Sequence, residues 1–368
     1  MKIRLIYCIY LCLALSCNDA PGPGKPLGYN ESAQEIISRM ISDIPVTLID
    51  FDDVEYDTIY PSLVIGDEFD IDNTDSLFLA SPSGCLLMND SIYITDGMQN
   101  AIFVSDMNGL LVRRIGREGQ APGEFRQPLS MTINNNHIFV EDIGNRRIQV
   151  FDHGFQYIRS IPSTTGLIRA SISANDSIIV IPQMLSDDNV IDVYRSQFPF
   201  EFKYSFFPHV DPHPIDRDRI RVTRTRSSVN KNGYIAATPI LHPYIFLYNQ
   251  DGQMKHVIQY TGDRVKRRNH SRTPEHIRNQ GYQNPMLVHH LHLMDDDRII
   301  STIISEINIL EPNNTGKYNV TRRYRILFKD EIYERFGFRV PAIVGSCVTD
   351  RIFCLTLPHD FRLICYEI

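Results

Sequence analysis

Apolar and polar residues alternate along much of the chain, and the pattern is clearest between residues 110 and 158. Two apolar runs, Ile138–Val140 and Ile148–Phe151, flank the polar stretch Asp142–Asn145, and a further strand candidate follows at Phe155–Ile158. Period-two runs of β-branched and aromatic residues around a turn rich in Asp, Gly and Asn predict antiparallel strands. The Gly- and Pro-rich stretch Gly116–Phe125 predicts a loop. One loop and four strands in about 45 residues is the period of a propeller blade.

The same spacing occurs one unit earlier. Asp96 and Ile102 are six residues apart, as are Asp142 and Ile148, and Asp106 lies ten residues after Asp96. A first complete blade is therefore predicted from Cys85 onward, and the two units lie in register at an offset of 46 residues. Such an internal repeat predicts a repeated architecture.

Weaker copies of the unit continue to the end of the chain. They are predicted at about 168–208, 227–261 and 287–338, the last with an insertion between Ser305 and Thr321, and a sixth begins near Ile343. The sixth copy stops after its third strand, which would leave an unpaired edge. We therefore predict an all-β, six-bladed β-propeller of four-stranded antiparallel blades. Its ring would be closed by a strand from residues 46–80, where Val46–Phe51 and Ile59–Ile65 are the strand candidates.

Two segments resemble a known repeat. GREGQAPGEFRQP followed by HIFVEDIGNRRIQVFD resembles the NHL-type repeat, with Ala121 where that repeat usually has Gly. The chain is also similar to the TolB-like six-bladed propeller lipoproteins of gut Bacteroidetes. The resemblance is specific over about one and a half blades, and it implies the fold without implying an activity.

The N-terminus has the pattern of an export signal. Lys2 and Arg4 precede a short apolar run that ends at Leu15-Ser16-Cys17. Leu-Ser-Cys resembles a bacterial lipobox, so we predict a signal peptide over 1–16, lipidation of Cys17, a linker over 17–43 with a short helix within 31–42, and the propeller over 44–368. Ordinary secretion with an incidental cysteine is the alternative. The expected location is the cell envelope, held by lipid at the outer membrane, with the membrane side left open.

Composition and charge narrow the function. Hydrophobic residues make up 43% of the chain and charged residues 22%, which is typical of a globular protein. The formal net charge is −7, and it becomes −9 when Lys2 and Arg4 are removed with the signal peptide. No nucleic-acid partner is expected of such a protein, and a monomer is predicted.

Arginine is concentrated in two linkers expected on one face of the ring. One is 214–226, which ends at Arg226, and the other is 264–278. Arginine recognises carboxylate, sulfate and phosphate through two hydrogen bonds at once. These segments are interpreted either as an anion-binding rim or, with greater weight, as solvated loops. The candidate ligand-binding residues are Arg117, Arg126, Asp142, Asn145, Arg146, Arg217, Arg219, Arg221, Arg267 and Arg268.

For Asp142, Asn145 and Arg146 a structural role is favoured over ligand binding, because Asp and Asn at turns usually bond to the backbone. In NHL-type repeats these positions mostly hold neighbouring blades together, so the resemblance points the same way.

No catalytic residue is predicted. His290 and His292 share one side of an inner strand, so a channel lining or a metal site stays open. Lactonases and lyases of similar fold hold calcium or zinc centrally, and Asn175 and Asn230 lie near inner-strand ends. No complete ligand set can be assembled, so no cofactor is expected, although calcium or zinc in the channel stays open.

Four cysteines remain beyond Cys17: Cys85, Cys347, Cys354 and Cys365. Cys354 and Cys365 should face each other on neighbouring strands. Apolar packing is favoured for this pair, and a disulfide is the alternative, since an oxidising compartment permits one.

These patterns favour a non-enzymatic envelope lipoprotein that binds a ligand or acts as a scaffold. Its partner would be an anionic glycan or an envelope protein, and it would contact the membrane through the N-terminal lipid. The alternative is a metal-dependent lactonase, lyase or hydrolase with its site in the central channel.

Overall fold

The protein is a six-bladed β-propeller built from six separate sheets. The computed structural model describes residues 33–66, 78–162, 171–183, 189–208, 210, 225–270, 288–303, 306–326, 345–357 and 362–368, and the side chains of 267–270 and 289 lie outside this description.

The N-terminal part of the described chain contains one helix and three short strands. The helix confirms the one expected within 31–42, and Ile36 and Ile37 bury its apolar face. The predicted strand Ile59–Ile65 is two strands, with Pro61 between them, since proline cannot donate to a sheet ladder. The elements are α1 (Ala33–Met40), β1 (Val46–Asp50), β2 (Asp57–Ile59) and β3 (Leu63–Ile65).

Blades one to three are four-stranded antiparallel sheets, each running from an inner to an outer strand in chain order. Blade one comprises β4 (Pro82–Met88), β5 (Ser91–Asp96), β6 (Ala101–Asp106) and β7 (Leu111–Ile115). Blade two comprises β8 (Pro128–Ile133), β9 (Ile138–Asp142), β10 (Arg147–Phe151) and β11 (Tyr157–Pro162). Blade three comprises β12 (Ser173–Ala174), β13 (Ile178–Pro182), β14 (Asn189–Arg195) and β15 (Phe202–Pro208).

Blades four to six follow the same order and recruit N-terminal strands. Blade four comprises β16 (Thr225–Val229), β17 (Ile235–Pro239), β18 (Tyr244–Tyr248) and β19 (Met254–Thr261), and α2 (Asp263–His270) follows it. Blade five comprises β20 (Val288–Leu293), β21 (Ile299–Ile303), β22 (Glu306–Pro312) and β23 (Tyr318–Ile326). Blade six comprises β24 (Gly345–Val348), β25 (Ile352–Leu357) and β26 (Arg362–Glu367).

Residues 306–326 correct one prediction. The insertion expected between Ser305 and Thr321 is wrong, because this segment supplies the third and fourth strands of blade five. Only the five-residue turn 313–317 separates them, and in it Asn313 Oδ1 accepts hydrogen bonds from the backbone N–H groups of Thr315 and Lys317.

The N-terminal segment closes the ring as predicted. Strand β3 pairs antiparallel with β26, with Val64 opposite Ile364, and so becomes the outer strand of blade six. Both β1 and β2 overlap segments that were predicted to form strands, but their positions in the sheets were not predicted. Each adds to the outer edge of a blade as a parallel fifth strand, β1 on β19 and β2 on β23. The segment therefore covers the outer edges of blades four and five and completes blade six.

A disulfide crosses the junction between the first and last blades. Cys85 on β4 and Cys347 on β24 are joined across the inner strands, 262 residues apart in sequence. Both side chains are buried. The sequence pattern does not indicate that these two cysteines form a pair, because their contact depends on how the ring closes.

A second disulfide joins Cys354 to Cys365, directly opposite each other on β25 and β26. The apolar packing favoured for this pair is therefore wrong, and the alternative of a disulfide holds. Cys347 lies opposite Cys354 in the same sheet, so Cys347, Cys354 and Cys365 form one row on the face toward blade one.

The core consists of clusters between adjacent blades. The central strands of each blade are almost continuously buried, as in Ile178–Pro182 and Tyr244–Tyr248. Strands buried on both faces are apolar throughout rather than alternating. Helix α1 adds to this core, since Ile36 and Ile37 pack on the cluster between blades three and four.

Within the part of the chain that the structure describes, no helix has the length and apolar character needed to cross a bilayer.

Candidate functional site

One face of the ring carries the connections between blades and the turns between second and third strands. On this face the loop 116–125 packs on the turn 142–146, and α2 follows the outer strand of blade four. The inner strands begin at this face. We call it the entry face, because every inner strand enters its blade from this side.

Asp142 organises the loop of blade two. Its Oδ1 accepts a hydrogen bond from the backbone N–H of Arg126 at 2.7 Å. Its Oδ2 accepts bonds from Asn145 Nδ2 at 2.9 Å, Arg147 Nε at 2.8 Å and Gln149 Nε2 at 3.1 Å. Asp142 is fully buried. These contacts are those of a structural residue, as the turn chemistry favoured, and Asn145 also donates to Gly119 O at 2.8 Å.

Three of the candidate arginines lie exposed on the entry face. Arg126 and Arg146 are solvent-exposed, and Arg146 adopts a positive φ of 53° at the end of its turn. Arg117 is also exposed and pairs with Glu124, whose pKa is lowered by hydrogen bonds from the Ala121 N–H and from Arg117. The arrangement places cationic side chains at the rim, where the field extends into solvent.

The two arginine-rich segments are described only in part. Arg217, Arg219 and Arg221 lie outside the described residues, and so do the side chains of Arg267 and Arg268 on α2. Arg264, the first arginine of the second segment, forms an ion pair with buried Glu306 at 2.8 Å.

Glu306 is also close to Arg323 and Arg325. Arg323 is buried, and its Cζ lies 4.0 Å from the centre of the Phe51 ring. Its Nη1 donates to Phe51 O at 2.7 Å and to Val54 O at 2.8 Å. This cluster ties α2 and the N-terminal segment to blade five, so Arg264 has a structural function.

The central channel is lined by residues from all six blades and encloses a cavity of about 280 Å³. Where the inner strands begin, its wall is polar, with serine, arginine and histidine side chains. Where they end, the wall is apolar. The polar part includes Ser83, Ser130, Ser171, Arg226, His290 and Ser346, and the apolar part includes Leu87, Ile133, Ala174, Val229 and Val348.

Arg226 places a permanent positive charge in the channel wall. It is the last arginine of the segment 214–226 and the second residue of β16, and only 6% of its surface is exposed. A guanidinium stays protonated at any physiological pH. Of the arginine-rich segment, Thr225 and Arg226 are the described residues, and Arg226 lies in the channel wall.

Glu141 lies near this charge on β9. Ser130 Oγ donates a hydrogen bond to Glu141 Oε2 at 2.8 Å, and the side chain is buried. Burial raises the pKa of Glu141 to about 7, although the Ser130 hydrogen bond and the charge of Arg226 both act to lower it. At neutral pH Arg226 in the channel wall is consequently a full cation, and Glu141 on the second strand of blade two is a partly protonated acid.

Two histidines and one serine form a second cluster in the channel. Ser346 Oγ lies 2.7 Å from His290 Nδ1 and 2.7 Å from His292 Nε2. Burial, together with the charge of Arg226, lowers the pKa of His292 to about 4. A neutral His292 can donate its Nε2–H to Ser346, whose hydroxyl can then donate to His290.

Metal binding is the weaker interpretation of this cluster. Among the residues that the structure describes, no three His, Cys, Asp or Glu side chains converge as metal ligands. A nearby guanidinium also opposes a cation. Asn175 and Asn230 serve the blade junctions instead, since Asn175 Nδ2 donates to Asn230 O at 2.8 Å and Asn230 Nδ2 donates to Asp297 Oδ1 at 2.6 Å.

Arg226, Glu141 and Ser346 were not among the predicted site residues. The available signal was a charged or polar residue inside an otherwise apolar strand, as at Glu141 after Phe139 and Val140. That signal indicates that the residue is buried, but it does not show which residues of the other blades lie near it.

Comparison with a family model agrees with this architecture. A family model described as "6-bladed beta-propeller" matches residues 69–165. Among solved structures, the chain is similar to the "Putative exported protein" from Bacteroides fragilis, at 15% identity and a TM-score of 0.46, over 85% of this chain and 88% of that one. It is also similar to virginiamycin B lyase from Staphylococcus aureus, at 10% identity and a TM-score of 0.46, over 79% of this chain and 98% of that one.

Proposed function

We propose that the protein is an exported, lipid-anchored binding protein of the bacterial envelope that recognises anionic glycans at its entry face. The observation that carries the proposal is the presence of exposed cationic side chains there. Arg117, Arg126 and Arg146 are exposed on this face, and Arg226 lies in the wall of the channel where the inner strands begin. A local positive potential on an acidic protein attracts anions.

The export part of the proposal rests on the N-terminal pattern. Lys2, Arg4 and the apolar run before Cys17 have the order of a lipoprotein signal. Two disulfides accord with folding in an oxidising compartment.

Neutralising the rim arginines tests this function. The triple variant Arg117→Gln, Arg126→Gln, Arg146→Gln should bind polygalacturonate roughly tenfold more weakly in isothermal titration calorimetry, because exposed charges each contribute roughly 0.2–1 kcal/mol. Binding by the unmodified protein should also weaken as salt rises from about 0.05 M to about 0.5 M.

A matched control separates the rim from net charge. Lys203→Gln, Lys255→Gln and Arg322→Gln remove three exposed cations from outer strands. This control should bind polygalacturonate like the unmodified protein. Equal loss in both triple variants, or binding that salt does not change, would count against a rim site.

A hydrolase in the channel is the second candidate, favoured by Ser346. A serine within hydrogen-bond reach of an imidazole is the arrangement of an activated nucleophile, and here two imidazoles lie 2.7 Å from one hydroxyl. If this candidate is correct, a fluorophosphonate probe will label the protein at Ser346, and His290→Phe will remove the labelling. An unlabelled protein, or one labelled elsewhere, would leave the cluster as structural.

A further inference from the structure

We infer that the polar end of the central channel is a binding site for a small carboxylic acid with an apolar body, anchored by Arg226. The inference deepens the proposed function, because it assigns a ligand class to the channel whose polar end lies toward the entry face. It depends on different residues from those of the rim.

The anchor follows from charge and shape. Arg226 is buried in the channel wall, and its planar guanidinium can bind both oxygens of a carboxylate. In a site withdrawn from water such a charge-assisted pair is stronger than on the surface. A phosphate or sulfate carries more charge and hydration than one buried arginine can replace, which favours a carboxylate.

Serine hydroxyls supply further donors. The Oγ atoms of Ser171, Ser173 and Ser227 are buried and have no hydrogen-bond partner among the described residues. All three residues line the cavity, and Ser227 follows Arg226 directly. Buried hydroxyls without partners are uncommon, because each costs free energy that a ligand can recover.

Glu141 affects the charge available to the ligand. As a partly protonated acid it neutralises Arg226 incompletely at neutral pH. Above neutral pH the ionised form of Glu141 would compete with a bound carboxylate for the charge of Arg226. His290 and His292 also face the channel, and the neutral state of His292 adds no charge.

The apolar end of the cavity determines which kind of group the ligand carries beyond its carboxylate. Leu87, Ile133 and Val229 form an apolar wall beyond the polar end. A hydrocarbon chain or ring placed there removes apolar surface from water. The cavity of about 280 Å³ lies at the lower limit of small-molecule pockets, so the ligand is compact.

Paired carboxylate and amide probes test the site. In calorimetry on the full mature chain, hexanoate should bind one to one, and hexanamide should bind roughly 10- to 100-fold more weakly, the range expected for losing a charged hydrogen bond. Arg226→Met should weaken hexanoate binding by a similar factor, whereas Arg322→Met, at an exposed position on β23, should leave it unchanged.

A second variant keeps the inference testable if Arg226→Met does not fold. Ala174→Leu fills the apolar end, and it should weaken hexanoate while leaving acetate binding unchanged. Equal binding of hexanoate and hexanamide, unchanged affinity in Arg226→Met, or no binding of any carboxylate probe would overturn the inference. Because polygalacturonate is too large for the cavity, its binding at the rim is scored independently of these outcomes.

Discussion

Replacing Cys85 and Cys347 together by alanine should lower the free energy of unfolding by about 5 kcal/mol. The disulfide joins residues 262 positions apart, and a cross-link that closes a long loop removes much conformational entropy from the unfolded chain. It also holds the inner strands of blades one and six together. Without this bond the junction keeps the packing of buried side chains from the two blades, and β3 on β26 still completes blade six.

Chemical denaturation followed by circular dichroism measures this loss, and the second disulfide provides the control. Cys354 and Cys365 are 11 residues apart, so their replacement by alanine should cost about 3 kcal/mol. Both pairs are buried in the same cluster, which makes the apolar contribution comparable. An equal or smaller effect of the Cys85–Cys347 pair would mean that ring closure does not depend on this bond.

Glu141→Gln should become more stable relative to the unmodified protein as pH rises, by about 3 kcal/mol between pH 4 and pH 8. The pKa of Glu141 is raised from 4.5 to about 7 in the folded state. Its stabilising contribution is therefore complete below pH 4.5 and is lost as pH rises through 7. Glutamine keeps the hydrogen bond from Ser130 and does not titrate.

His292 has the opposite dependence. Its pKa is lowered from 6.5 to about 4, so its contribution is present above pH 6.5 and is lost as pH falls through 4. The two dependences offset each other between roughly pH 4.5 and 6.5 in the unmodified protein.

Denaturation curves of both proteins from pH 4 to pH 8 test this pair of expectations. In Glu141→Gln the His292 contribution is no longer offset, so the stability of this variant should rise over the lower part of the range. A stability difference that stays constant with pH would show that folding does not raise the pKa of Glu141.

The repeated turns made the blades predictable from sequence. Asp106 and Asp152 lie at matching positions, and each accepts backbone hydrogen bonds in its turn, as in the N–H of Leu110 to Asp106 Oδ1 at 2.9 Å. A turn that needs an aspartate at a fixed place leaves a regular signal. The missing outer strand of blade six likewise pointed to closure by the N-terminal segment.

Other features leave no such signal. Strand β2 has three residues, and its parallel pairing with β23 depends on a neighbour more than 250 positions away. Arg226 looks like the other arginines of its segment, because a one-dimensional pattern does not show which side chain turns into the channel. The contact between Cys85 and Cys347 exists only once the ring is closed.

Strands β1, β2 and β3 are synthesised long before the strands with which they pair. Ser62 Oγ donates a hydrogen bond to Cys365 O, 303 positions further along the chain, and β3 pairs with β26, so β3 acquires its partner only when β26 is present, whereas β1 and β2 pair with the earlier strands β19 and β23. Contacts of such long range form slowly, and until they form, strand edges stay open to mispairing. During synthesis β1, β2 and β3 therefore meet their partners one after another, and β3 is the last of the three to be paired.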